Sequence, residues 1–156
     1  MLRPLEDILV KGAFMGCERD EGPEVNPGLG IASPAGLGLY RELLDFYSTL
    51  NFVREDGGYN LTTIVAYTTM ILKKHGLSGK IGIQEIGDLT VYPREYFCPK
   101  SPLGEKCFTR NTRTIHHYAG SWATRGQRIN AFIGGLLPVR ITRFLMCISA
   151  KIKKLK

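Results

Sequence analysis

Changes of hydrophobic period constrain the fold of this chain more than any other feature of its sequence. From Ala35 to Leu50 the apolar side chains Leu37, Tyr40, Leu43, Leu44, Tyr47 and Leu50 recur at the spacing of one helix face, with Arg41, Glu42 and Asp45 on another. A second helical stretch follows Asn60, whose side chain suits an N-cap; it carries Leu61, Ile64, Val65, Ile71 and Leu72 and stops before Gly76. On either side the pattern is extended, with a strand near Ala13-Phe14-Met15-Gly16 and two short strands between Lys80 and Tyr92 about a Gly87-Asp88 turn. Strands separated by helices predict an α/β fold. A length of 156 residues, 44% hydrophobic and 22% charged, fits one globular domain.

Between these elements lie the stretches with chemical potential. Cys17-Glu18-Arg19-Asp20-Glu21 reads as a charged turn after the first strand, and its Glu18 and Asp20 are either a carboxylate pair for a hard cation or simply solvated. Asn26-Pro27-Gly28-Leu29-Gly30-Ile31 allows a sharp turn or a close approach to a ligand. Its glycines do not make a dinucleotide-binding turn, because Ser33 stands where the third glycine belongs. Thr62, Thr63, Thr68 and Thr69 offer hydroxyls either to a ligand or back to their own helix. Tyr92-Pro93 and Tyr96-Phe97-Cys98-Pro99 read as an aromatic, proline-punctuated loop.

Thr114-Ile115-His116-His117-Tyr118-Ala119-Gly120-Ser121-Trp122 holds two of the three histidines and the sole tryptophan, and reads as the end of a strand running into a loop. Neighbouring strand residues face opposite ways, so only one of His116 and His117 is expected to look into a cleft. The histidines are either metal ligands or packed side chains. Cys17, Cys98, Cys107 and Cys147 form no Cys-X-X-Cys pair, and reduced thiols are expected.

The net charge of +7 is localised. Arg125, Arg128, Arg140, Arg143, Lys151, Lys153, Lys154 and Lys156 lie after Trp122 with no acidic residue among them, so the remainder is close to neutral. That distribution argues against a nucleic-acid-binding fold and for an appended cationic element. Beyond Pro138, the apolar residues Ile141, Phe144, Leu145, Ile148, Ile152 and Leu155 alternate with Arg140, Arg143, Lys151, Lys153, Lys154 and Lys156. The arginines interrupt any membrane span. Two expectations stand: an amphipathic helix lying on an anionic membrane surface, or a C-terminal helix docked on the protein. The opening residues, Met1 to Asp7, show no secretory leader pattern, so a cytoplasmic location is expected, peripheral on the inner face of the membrane where the tail binds lipid.

Five stretches, in order, carry a resemblance: Ala13-Phe14-Met15-Gly16-Cys17-Glu18-Arg19-Asp20, Asn26-Pro27-Gly28-Leu29-Gly30, Asn60-Leu61-Thr62-Thr63-Ile64-Val65, Thr90-Val91-Tyr92-Pro93-Arg94-Glu95-Tyr96-Phe97, and Ile115-His116-His117-Tyr118-Ala119-Gly120-Ser121-Trp122. Together residues 1–122 resemble the second half of bacterial capsular-polysaccharide glycosyltransferases, relatives of fungal outer-chain mannosyltransferases and clostridial glucosylating toxins. Residues 123–156 form the basic amphipathic tail. The resemblance implies part of a GT-A-type α/β fold that moves a sugar from a UDP- or GDP-sugar to a glycan or lipid-linked glycan with Mn²⁺ or Mg²⁺. It implies His116 or His117 at the metal, Ser121 at the diphosphate, Trp122 over the nucleotide sugar, Asn26 near the donor sugar, and Glu18 or Asp20 near the reaction centre. The cation would neutralise charge on the departing diphosphate while the aromatic ring excludes water.

The family's Asp-X-Asp metal motif does not occur in the chain, and Glu18-Arg19-Asp20 matches a separate acidic turn that follows it. A glycosyltransferase working with an N-terminal half in trans is therefore one expectation. A non-catalytic remnant, or a protein that uses the tail at a membrane surface, is the other. A half-domain is also expected to expose sheet edges and to self-associate.

Overall fold

A computed structural model describes residues 1–101, 106–118 and Gly126. One mixed sheet of four strands organises them, in the order β2-β1-β4-β3. These strands are β1 (Ala13–Arg19), β2 (Glu24–Ala32), β3 (Gln84–Ile86) and β4 (Leu89–Tyr92). The helices are α1 (Glu6–Leu9), α2 (Gly38–Ser48), α3 (Ile64–Lys74) and α4 (Arg94–Phe97). β1 pairs antiparallel with β2 and parallel with β4, while β3 and β4 form the antiparallel hairpin expected around Gly87, whose φ is +58°.

Residues Ala13 to Cys17 of β1 are all buried, as a central strand covered on both faces requires. Alternation divides them. Ala13, Met15 and Cys17 join a core with Val25, Leu43, Ile71, Leu72, Leu89 and Val91, whereas Phe14 packs with Ile8, Tyr92 and Phe97 on the other side. Phe14 and Phe97 stack with ring centroids 5.2 Å apart. Gly16 makes that packing feasible, because a Cβ there would stand 2.8 Å from Phe97 Cδ2.

Several expectations change in detail. In α2, Leu44 is exposed, and Leu39 and Phe46 pack toward the core in its place. α3 starts at Ile64 and not at Leu61, capped by Thr63, whose hydroxyl accepts from Ala66 N at 3.3 Å. Asn60 is not the cap. Its backbone N–H closes a small hairpin onto Phe52 O, beside the Val53–Tyr59 bridge, and its side-chain amide donates to the Tyr67 hydroxyl. Its side-chain oxygen accepts from Thr62 N at 3.2 Å in an Asx turn that precedes the helix. Thr69 serves the fold: its buried hydroxyl accepts from Val25 N at 2.9 Å and ties β2 to α3.

Two predicted turns belong to strands. Cys17, Glu18 and Arg19 finish β1, and Asn26 to Ile31 lie within β2. The ladder is broken there all the same. Met15 faces Ile31 while the next residue, Gly16, faces Asn26, so Pro27 to Gly30 bow out of the pairing. Proline, which has no N–H to lend, is at home in such a bulge.

Part of the predicted aromatic loop after β4 is the single helical turn α4. Residues 112–118 are not a strand; Arg113 N and Thr114 N both donate to Tyr96 O, and Thr114 Oγ1 donates to Phe97 O, so the segment hangs on α4 rather than on a neighbouring strand. The boundary at residues 122 and 123 and the basic tail lie outside the described residues.

Candidate functional site

The two parallel inner strands β1 and β4 have their carboxyl ends on the same side, the position where open α/β sheets present ligand-binding loops. β1 ends irregularly. Cys17 pairs with Val25 and Arg19 with the adjacent Glu24, which leaves Glu18 as the extra residue of a β-bulge. Bulges near strand ends re-aim a side chain.

The half-buried Glu18 carboxylate meets two donors from distant parts of the sequence. Asn26 Nδ2 donates to Oε2 at 2.9 Å and the Tyr118 hydroxyl donates to Oε1 at 3.1 Å. Asn26 is itself fixed, since its Oδ1 accepts from Gly28 N at 2.8 Å in an Asx turn inside the bowed segment. Behind Tyr118, Cys98 Sγ lies 3.0 Å from the phenol oxygen. Asp20, two residues beyond Glu18, accepts from Arg94 N at 2.9 Å and so anchors the start of α4 beside β1.

His116 and His117 differ in exposure, although their segment is not the strand that predicts such a separation. His117 is exposed, whereas the His116 ring meets Tyr118 edge-on at 4.2 Å with its Nδ1 buried and unpartnered among the described residues. Tyr118 has φ +49°, the sole positive value outside glycine among the described residues. That conformation costs a bulky residue roughly 1–3 kcal/mol and persists only when surrounding contacts impose it.

Burial dominates the electrostatics. It pushes the Tyr118 phenol above its usual range, aided by the contact with Cys98 and the charge of Glu18. Burial also raises the Cys98 and Cys107 thiols, against which the Arg94 guanidinium works. The Cys17 thiol is pushed up to about 12, first by burial and then by Asp20. Cys17, Cys98 and Cys107 are all unpaired thiols, and Cys147 lies outside the described residues.

The structure therefore brings together Glu18, Asp20, Asn26 and His116 of the expected site and leaves His117 facing solvent. Ser121, Trp122, Arg140, Arg143, Lys151, Lys153, Lys154 and Lys156 lie outside the described residues. Tyr118, Cys98 and Arg94 were not anticipated as site residues. Tyr118 sits in the histidine stretch, but its role depends on a backbone conformation that no spacing reveals. Among the described residues no three or more His, Cys, Asp or Glu side chains gather so as to hold a metal ion, and both Glu18 oxygens face hydrogen-bond donors. These side chains alone do not fit a divalent-cation cradle.

A separate open groove of about 490 Å³ runs between the β1–β2 turn and α3, lined by Gly22, Thr63, Met70 and Lys73 among others. Thr63 and Thr69 on its wall are already engaged with backbone amides. Among the described residues no helix is long and apolar enough to cross a membrane. No family model, curated protein or solved structure matches the chain.

Proposed function

We propose that this chain is a sugar-transferase component of the capsular-polysaccharide type, in which the ends of β1 and β4 form the donor-sugar side of a nucleotide-sugar site. One observation carries the reading. Four stretches far apart in sequence, Gly16 to Asp20, Asn26 to Gly28, Tyr92 to Cys98 and His116 to Tyr118, meet at the carboxyl ends of β1 and β4, joined by the Glu18–Asn26, Glu18–Tyr118 and Cys98–Tyr118 side-chain contacts and by the Arg94 N–Asp20 bond. They include parts of four of the five stretches behind the family resemblance, with Cys98 one residue beyond the fourth.

Charge decides how a ligand would lie. A carboxylate at Glu18 repels a diphosphate and accepts hydroxyl hydrogen bonds, so the sugar sits against Glu18 and Asn26. The diphosphate then belongs on the side of His116; Ser121 and Trp122, which the resemblance assigns to the diphosphate and the nucleotide sugar, lie outside the described residues. The acceptor is a glycan or lipid-linked glycan, and the cationic tail holds the chain at an anionic membrane surface. Because the described residues lack a cation cradle, no step is assigned to Mn²⁺ or Mg²⁺, and a metal requirement would draw its remaining donors from outside them, including an N-terminal half acting in trans.

The test is isothermal titration of the full chain with UDP-glucose and GDP-mannose against UDP and GDP, each with and without Mn²⁺. The reading expects one sugar nucleotide to bind more tightly than its bare nucleotide. It further expects Glu18→Gln to weaken that sugar nucleotide by about tenfold or more, since a hydrogen bond to a charged group is worth about 1.5–3 kcal/mol. No binding to any of the four, with or without Mn²⁺, would count against it.

A further inference from the structure

We propose that Tyr118 is a positioning residue, which sets the Glu18 carboxylate at the β1 bulge through a one-way hydrogen-bond chain that starts at the Cys98 thiol. This deepens the donor-site reading and rests on it for the purpose of the carboxylate, but not for the geometry.

The direction of the chain follows from counting protons. An ionised carboxylate only accepts, so the single Tyr118 hydroxyl proton goes to Glu18 Oε1, 3.1 Å away. The phenol oxygen is then left as an acceptor 3.0 Å from Cys98 Sγ; the thiol's other acceptor among the described residues, Lys100 O, stands farther off at 3.5 Å, so the S–H is directed to the phenol. Cys98 is fully buried and immediately follows α4, so the origin of the chain is set by the core rather than by solvent. The other carboxylate oxygen is held by Asn26, whose own orientation is set by Gly28 N. Glu18 therefore has one donor on each oxygen, each braced from behind.

Three features distinguish this from incidental packing. Glu18 is the bulged residue of β1, so no ladder pairing fixes it. Tyr118 holds a positive φ, so its contacts outweigh its backbone preference. The His116 ring lies edge-on to the Tyr118 ring at 4.2 Å and limits its rotation. Removing only the hydroxyl, as in Tyr118→Phe, keeps the ring contacts and frees one oxygen of Glu18.

The test is side-chain NMR of the full chain. Tyr118→Phe is expected to shift both the Glu18 carboxyl carbon and the Asn26 side-chain amide, with the remaining backbone amide spectrum retained; His117→Ala, at an exposed ring, is expected to shift neither. In the unaltered chain, cross-relaxation between the Tyr118 ring protons and the Glu18 side chain is expected, which needs no variant to fold. Unchanged Glu18 and Asn26 signals in Tyr118→Phe, or no such cross-relaxation, would overturn the proposal. Sugar-nucleotide titration reports separately on the donor-site reading, so a chain that binds no nucleotide yet shows these shifts fails that reading and keeps this one.

Discussion

Gly16 shows how a single hydrogen can position the site. A methyl group in its place would lie 2.8 Å from Phe97 Cδ2 and 3.2 Å from Phe97 Cβ, and Phe97 is buried against Phe14. Both rings are buried. Gly16→Ala should cost about 1–3 kcal/mol as an overpacked core, measured as a lower urea midpoint with an unchanged slope; an unchanged midpoint would contradict the packing described. The same residue scale shows what the sequence discloses. Glu18 and Asn26 are legible as candidates because a carboxylate and an amide stand next to Pro and Gly. Tyr118 is not, because its importance comes from a left-handed backbone and from partners 20 and 100 residues away.

At the scale of elements, one buried side-chain bond ties α3 to the edge strand β2, beside the packing of Val25 with Ile71 and Leu72. Thr69 lends its hydroxyl to Val25 N, whereas the neighbouring Thr68 hydroxyl is buried with no partner among the described residues. The two threonines should therefore respond oppositely to the same change. Thr69→Val strands a buried amide and should cost about 1–3 kcal/mol with faster hydrogen exchange at Val25, while Thr68→Val removes an unsatisfied hydroxyl and should be neutral or stabilising. Equal losses in both variants would refute the assignment. Helices α2 and α3 and the β3–β4 hairpin were legible because period and turn chemistry are local signals. The bowed segment of β2, the bulge at Glu18 and the attachment of residues 112–118 to α4 were not, since each is decided by pairing across the sheet. The start of α3 differs because the Asn60 side-chain oxygen closes an Asx turn onto Thr62 N, leaving Thr63 to cap the helix.

For the molecule as a whole, alkaline pH should be destabilising in a defined window. Burial holds the Cys17 thiol and the Tyr40 phenol up to about 12 each, and Tyr40 donates toward Phe14 O and Ala32 O. Their unfolded values are about 8.5 and 10, so the folded state keeps protons that the unfolded chain releases. This stability is fully present below about pH 8.5 and is lost as pH rises toward 12. Denaturation midpoints should fall across that range, and less so in Cys17→Ala; a flat profile would contradict it. The outer edges of β2 and β3 carry no strand pairing among the described residues, and Ile31 and Ile83 lie exposed on or beside them. Concentration-dependent association in size exclusion is expected, against which a sharp monomer peak at every concentration would tell. The central claim is that a sugar nucleotide binds at the carboxyl ends of β1 and β4, and backbone amide mapping of the full chain with UDP-glucose and GDP-mannose tests it most directly. The account predicts shifts concentrated at Glu18, Asn26, Arg94 and Tyr118; shifts confined to Gly22, Thr63, Met70 and Lys73 in the groove beside α3, or no shifts with either ligand, would contradict it.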